Sequence, residues 1–279
     1  MRLALALVAS AVLISAQEPK YEWNAAEQPI AAQIKTLRSV PDDERPAVTK
    51  DLALRIRKLR TPGKQSLAIQ LANLATEGDA GHDTLQETAT TLALAMAEKP
   101  SAVEDPYTTL AQYVRYEHID PAGWAMLGDT RYRAAMAKLE ADDAKRQKLD
   151  FTLTDLHGKS WTLQKLSGKV VLVNFWATWC PPCRKEMPDL DSIYREFQGK
   201  GLVILSISDE ERVKVDAYLG EHPVSYSILL DPGDRVEKDF IVQGIPKTFV
   251  YDRQGHLAAQ SIDMRTRRQF VEMLKRAGL

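Results

Sequence analysis

The chain has 279 residues, of which 44% are hydrophobic and 27% are charged, and its formal net charge is −1. This length allows about two domains, and the composition is that of an ordinary globular protein. The near-neutral charge supplies no broad field that would gather nucleic acid or an anionic lipid surface, so neither is expected as a partner.

The first residues predict a secretory signal peptide over residues 1–16. Arg2 precedes an apolar run over residues 3–14, and small residues end the segment at Ala16, as in cleaved export signals. The run is shorter than the roughly 20 apolar residues that span a bilayer. We therefore expect cleavage after Ala16 and a periplasmic or other extracytoplasmic location, where thiols oxidise readily.

Residues 17–148 carry helical periodicity and almost no strand signal. Apolar side chains recur three or four residues apart in stripes that Pro41, Pro62 and Pro100 separate, which is typical of amphipathic helices between breakers. The stripes are Ile30, Ile34 and Leu37; Val48, Leu52, Ile56 and Leu59; Leu67, Leu71 and Leu74; and Leu85, Leu92 and Met96. With two further stretches, around Leu110 and over 131–148, the pattern predicts an all-α bundle of five or six helices of unknown role.

Residues 149–279 alternate strand and helix patterns. The predicted elements are a hairpin over 150–163, strands over 169–177, 202–208, 225–231, 247–252 and 256–262, helices over 181–197 and 211–220, and a closing helix around Phe270. Strands that alternate with helices indicate a sheet covered by helices, with at least one right-handed crossover.

The two cysteines of the chain, Cys180 and Cys183, lie in the segment WATWCPPCRKEMP between a buried strand and a helix. Pro181 suits the first position of a helix, which makes Cys180 the N-cap residue. Unpaired N–H groups and the helix dipole lower the pKa of a thiol there. Cys180 is therefore the predicted nucleophile, and Cys183, one turn further on, the predicted resolving thiol.

The residues alone leave three other uses of this pair open. A structural bridge is one, although so small a loop would constrain the unfolded chain little. A zinc site is another, although it normally needs four ligands and the chain has no second cysteine pair. The third is Cu(I), a soft metal that thiolates bind, with Met187 nearby.

The stretch VVLVNFWATWCPPCRKEMP resembles the active-site segment of thioredoxin-like proteins. The similarity is to the exported branch with the TlpA, ResA and CcmG types of thiol:disulfide oxidoreductase, and it extends from about Asp150 to Leu279. It implies a thioredoxin-like fold, with a central mixed sheet flanked by helices, over residues 149–279. It also implies a redox-active disulfide without another cofactor or a metal, protein disulfides as substrates, a membrane thiol protein as electron donor, and a link to cytochrome c biogenesis.

The resemblance assigns further site residues. Pro246, in Gly244-Ile245-Pro246, matches the family's cis proline beside the cysteines, and the backbone of Ile245 is then free to pair with a substrate strand. Glu186 matches the glutamate that exchanges a proton with the second cysteine, whereas Asn174 replaces the buried aspartate of ordinary thioredoxin. Trp179 is expected in the docking surface.

Other positions are predicted to have structural or surface roles. The structural residues are Pro181, Pro182 and Pro188, the last of which matches the family's helix-kinking proline. Lys247 replaces a frequent threonine and is either a cation that biases substrate choice or a strand-edge charge. A solvated face is expected for Arg265, Arg267 and Arg268.

The function that these residues favour is an exported reductase of protein disulfides. The alternatives are an isomerase or chaperone whose helical domain dimerises or holds clients, and a Cu(I) carrier. A peroxiredoxin-like peroxidase is disfavoured, because Val173 and Ala177 stand where that family has a proline and a threonine. The sequence does not indicate the oligomeric state or the client proteins.

Overall fold

The computed structural model describes residues 21–279, so the predicted signal peptide at 1–16 lies outside the described residues. The chain forms six α-helices over 28–146, followed by an α/β arrangement over 152–276. The first six helices, termed the helical half, are α1 (Gln28–Thr36), α2 (Arg45–Lys58), α3 (Lys64–Ala75), α4 (His82–Glu98), α5 (Asp105–Tyr116) and α6 (Thr130–Arg146).

The helical half packs around a single apolar core. Leu52 and Ile56 of α2, Leu67 and Leu71 of α3 and Leu92 of α4 are completely buried in it. These residues belong to the predicted stripes, which confirms the predicted bundle and sets its number of described helices at six. None of the helices in residues 21–279 is both long and apolar enough to cross a membrane.

The second part of the chain, termed the α/β half, is built on a five-stranded mixed sheet. Its elements are β1 (Thr152–Thr154), β2 (Ser160–Thr162), β3 (Val170–Phe175), α7 (Pro181–Phe197), β4 (Leu202–Ser208), α8 (Arg212–Glu221), β5 (Ser227–Leu230), α9 (Arg235–Asp239), β6 (Lys247–Tyr251), β7 (Leu257–Gln260) and α10 (Arg267–Arg276). The strand order is β5-β4-β3-β6-β7, and β1 and β2 form the predicted hairpin. Strands β3, β4 and β5 are parallel, whereas β6 and β7 run antiparallel to their neighbours.

This sheet has an apolar layer on each face. Leu190 of α7 and Phe270 of α10 are buried on one face. On the other, the ring of Phe240 lies 5.2 Å from that of Phe175 and 5.0 Å from that of Phe249. All six residues of β3 are buried, as expected for a strand that is covered on both faces. The predicted thioredoxin-like fold is therefore confirmed, and the cysteines follow its central strand.

The two halves meet along the segment over residues 261–266, termed the β7–α10 connection. The Thr76 hydroxyl donates to the Asp263 carboxylate at 2.5 Å, and the N–H of Gly78 donates to the Met264 carbonyl at 3.3 Å. Near the cysteines, the Lys185 ammonium forms an ion pair with Asp42 at 2.7 Å. The helical half is thus attached beside the redox site.

Candidate active site

The cysteine pair lies where β3 ends and α7 begins. Cys180 is the N-cap residue of α7 and Pro181 occupies its first turn, as the sequence predicts. The two sulfur atoms form a disulfide, with 2.03 Å between them. Cys183 is fully buried, so only Cys180 contributes to the small exposed surface of the pair.

The start of α7 provides the electrostatic environment of the first sulfur. The N–H of Cys183 donates to Cys180 Sγ at 3.2 Å. In the reduced protein, a thiolate at that atom would face the same N–H and the positive end of the helix dipole, both of which lower its pKa. Pro182 is exposed, and Pro188 lies within α7, where a proline cannot donate a helical hydrogen bond.

The Ile245–Pro246 peptide bond lies beside the disulfide and is cis, which confirms the prediction for Pro246. The carbonyl oxygen of Ile245 lies 3.7 Å from Cys180 Sγ. Within residues 21–279, neither the N–H nor the carbonyl of Ile245 forms a backbone hydrogen bond. An extended polypeptide can therefore pair with this residue directly beside the sulfur.

Trp179 precedes the disulfide and is 67% exposed, as a docking residue must be. The preceding turn is held by a residue that the sequence analysis missed, Glu210, whose carboxylate accepts from the N–H of Thr178 at 2.6 Å and from its hydroxyl at 2.9 Å. A signal for this contact existed, because Glu210 follows β4, and the ends of the parallel strands β3 and β4 meet at one sheet edge.

Glu186 is buried in the first turns of α7, with only 2% of its surface exposed. The side-chain N–H of Asn174 donates to Oε1 at 2.9 Å, and the N–H of Arg265 donates to Oε2 at 3.0 Å. Burial outweighs these two hydrogen bonds and raises the pKa of Glu186 to about 8, because desolvation disfavours the charged form. The pKa of Glu186 therefore lies near the range that suits proton exchange.

Asn174 cannot exchange a proton, but its side chain positions the Glu186 carboxyl group. Its amide also donates to the Thr248 hydroxyl at 3.2 Å, and its carbonyl oxygen accepts from the Ser206 hydroxyl at 2.9 Å. All three polar groups are buried, and their mutual hydrogen bonds orient the amide towards Glu186. Sequence reasoning missed Ser206 and Thr248, since a small polar residue in a largely apolar strand gives no local signal of a partner.

The predicted solvated face at the last helix is wrong for Arg265. This side chain is 4% exposed, and its guanidinium forms a salt bridge with Glu117 at the end of α5. The helical half covers the Arg265 side chain. Because that half is distant in sequence, the residues around Arg265 gave no sign of its burial. Arg265 therefore links the two halves through its side chain and contacts Glu186 through its backbone.

Lys247 is not a strand-edge charge, because β6 lies between β3 and β7. Its ammonium lies in the contact between the two halves, 5.7 Å from the ring of Tyr116 and 5.6 Å from that of Phe249. Burial, followed by repulsion from Arg146 and Arg265, lowers the pKa of Lys247 to about 7.

A thioredoxin-like sheet with a CxxC disulfide at a helix N-terminus defines a thiol-disulfide redox protein, and the chain matches known proteins of that kind. Residues 144–260 match the AhpC/TSA family. The Bacillus thuringiensis thiol-disulfide oxidoreductase ResA is 32% identical over 151 residues, which cover 54% of this chain and 87% of that protein. The Bacillus subtilis ResA is 33% identical over 130 residues, 46% of this chain and 73% of that protein.

The similarity extends to a solved structure, a thiol:disulfide interchange protein of the thioredoxin family from Chlorobium tepidum. It is 28% identical, with a TM-score of 0.43, and the match covers 46% of this chain and 92% of that one. From the ResA relatives, the chain belongs to the thioredoxin-like family of thiol-disulfide oxidoreductases, and it is an enzyme of thiol-disulfide exchange.

Proposed function

We propose that this enzyme is an exported reductase of protein disulfides that uses its Cys180–Cys183 couple and no other cofactor. In the reduced enzyme, the Cys180 thiolate attacks one sulfur of a client disulfide, and the other client sulfur leaves as a thiolate. The Cys183 thiolate then attacks Cys180 Sγ and displaces the client's remaining sulfur. Two electrons pass to the client, and the enzyme returns to the disulfide form that the structure contains.

Glu186 carries the proton in this scheme. Cys183 is enclosed, so its thiol must lose a proton to a group inside the protein before it attacks. Glu186 lies three residues further along α7, on a neighbouring face of the helix. When an external dithiol reduces the enzyme again, protonated Glu186 returns the proton to the departing Cys183 sulfur.

The observation that carries the proposal is the backbone of Ile245, which forms no backbone hydrogen bond within residues 21–279 and whose carbonyl oxygen lies 3.7 Å from Cys180 Sγ. With exposed Trp179 nearby, it supports a polypeptide as the substrate. The two residues between the cysteines are Pro181 and Pro182, so no histidine is there to stabilise the thiolate. This favours a reductase over a strong oxidant. We further propose a membrane thiol protein as electron donor and apocytochrome c as one class of client.

A reduction potential tests the direction of transfer. We expect the couple, equilibrated with glutathione, to lie well below the roughly −120 mV of strong periplasmic oxidants. A value near −120 mV would contradict the reductase. Refolding of a scrambled multi-disulfide protein, if catalysed, would instead favour the isomerase.

Trapping tests the roles of the two cysteines. A Cys183→Ala variant should accumulate mixed disulfides with client proteins, because nothing resolves the Cys180 bond, and mass spectrometry would identify them. Cys180→Ala is the matched control and should trap none. Trapping by the control alone would reverse the assignment of the nucleophile, and copper bound without any trapping would favour the Cu(I) carrier.

A further inference from the structure

A cleft of about 430 Å³ lies between the two halves, and Ile245 is one of its lining residues. One wall comes from α5 and α6, and the other from residues 241–247 and the β7–α10 connection. Its volume is in the range of ligand sites, roughly 300–1,000 Å³. The cleft therefore has room for a short polypeptide segment.

The cleft is continuous with the place where a client is expected to pair. Ile245 lines it, and the carbonyl of the same residue lies 3.7 Å from Cys180 Sγ. A client strand that pairs with Ile245 would carry its cysteine to Cys180, and one flank of that strand would enter the cleft. This step rests on the proposed reduction of protein disulfides.

Lys247 is a cation that lines this cleft. Its ammonium donates to the carbonyl oxygen of Ser261, and in the part of the chain that the structure describes no carboxylate oxygen lies within 4.0 Å of it. An ammonium has three donors, so two are left for another acceptor. A partly buried charge without a partner is costly, and an anionic ligand would remove that cost.

The surroundings of Lys247 leave it short of negative charge. The charged or titratable groups that face its ammonium are Tyr116 of α5, Asp143 and Arg146 of α6, and Asp263 and Arg265 of the β7–α10 connection. Asp143 forms ion pairs with Arg115 and Arg146, and Asp263 accepts from Thr76. Both carboxylates attract the Lys247 ammonium from a distance, but each has its direct contact with another residue.

We propose that this cleft binds the client segment that flanks the reacting cysteine, and that Lys247 forms an ion pair there with an aspartate or glutamate of the client. The carboxylate completes the hydrogen bonding of the ammonium and keeps it charged. The exposed Glu104 and Asp105 also line the cleft, and their charges disfavour a second client carboxylate. The preference is therefore for one acidic residue close to the cysteine.

Matched peptides test this site in the full chain. Each peptide has one cysteine, carried as a mixed disulfide with thionitrobenzoate, and either aspartate or asparagine at a flanking position, scanned on both sides. The Cys180 thiolate of a Cys183→Ala protein attacks the peptide sulfur and releases coloured thionitrobenzoate, so the second-order rate constant is read directly. We expect the aspartate peptide to react on the order of 10-fold faster at one position, as for a hydrogen bond to a charged group.

A Lys247→Met substitution in the same background should abolish the preference, whereas Lys275→Met, outside the cleft, should keep it. The preference in the parent should also fall as the pH rises above about 7, because the free Lys247 ammonium then loses its proton. An aspartate preference that survives in Lys247→Met, or a ratio of one throughout, would overturn the proposal. The symmetric disulfide of thionitrobenzoate, which carries no peptide, is the reference substrate. If the Lys247→Met protein and its parent react with it at equal rates, the chemistry of Cys180 is intact. If neither protein reacts, the result contradicts the proposed function and not the proposed site.

Discussion

Replacement of Glu186 by glutamine tests whether burial keeps this carboxyl group largely protonated. Glutamine keeps the volume of the side chain but does not titrate. Burial raises the pKa of Glu186 from 4.5 to about 8 in the folded protein, so folding makes this group bind its proton more tightly. The associated stability is complete below about pH 4.5 and is lost as the pH rises through about 8.

The size of the effect follows from these two values. Each pK unit between the folded and unfolded states corresponds to about 1.4 kcal/mol. Between pH 5 and pH 8, the free energy of unfolding should therefore lose about 3 to 4 kcal/mol through Glu186 alone. The glutamine variant lacks this pH-dependent loss of stability. The other titrating groups are present in both proteins, so their effects cancel when the two free energies of unfolding are subtracted.

Urea unfolding of the two oxidised proteins, followed by circular dichroism from pH 5 to pH 8, measures that difference. We expect the stability of the variant relative to the parent to increase steadily across the interval. A Glu221→Gln protein, changed at the exposed end of α8, should instead run parallel to the parent. Parallel curves for Glu186→Gln as well would refute the reasoning, since the buried carboxyl group would then be ionised throughout.

The same substitution should slow the second chemical step. Loss of a positioned proton acceptor typically reduces such a step on the order of 100-fold or more. The rate of client release from a preformed Cys180 mixed disulfide, measured by stopped flow, reports it. Formation of the mixed disulfide should be unaffected, and an equal loss in both steps would indicate a general structural defect.

Three further substitutions have distinct expected outcomes. Trp179→Ala should raise KM for a protein client on the order of 10-fold and leave the reduction of a small disulfide unchanged, whereas a loss with both would argue against a docking role. Glu117→Ala leaves buried Arg265 without its partner and should lower the free energy of unfolding by about 3 kcal/mol; a denaturant midpoint equal to that of the parent would contradict this. Asn174→Ala removes one donor to the Glu186 carboxylate and should move the pH profile of the resolving step to higher pH, and an unmoved profile would exclude a positioning role.

The elements of the fold were predictable wherever a local pattern was long enough. The strand over 202–208 has the predicted bounds, because seven consecutive residues are apolar or small and lie in the sheet interior. The five-residue helix α9 was not predicted, since Val236 is its one buried residue and so short a segment has no period. Cys180 and Pro181 were placed correctly because N-capping depends on the adjacent residues alone.

The rest of the site depends on contacts between distant parts of the chain. Arg265 lies in a run of basic residues that indicates a solvated surface, and its burial requires Glu117, 148 positions earlier. The environment of Lys247 likewise depends on α5 and α6, whose position against the sheet no periodicity specifies. The sequence pattern predicts the secondary structure of a segment. The partner of a single charged residue depends instead on how the two halves pack against each other.

The double role of Arg265 has a consequence for how this protein can change over time. Its guanidinium is held by Glu117 of the helical half, and its N–H donates to Glu186. A shift at the end of α5 would therefore reach the proposed proton carrier, although α5 contributes no atom to the proposed chemistry. Exchange of the helical half for an unrelated bundle would leave both cysteines in place and still alter the pH at which they work. The two halves are therefore expected to vary together, as one inherited unit.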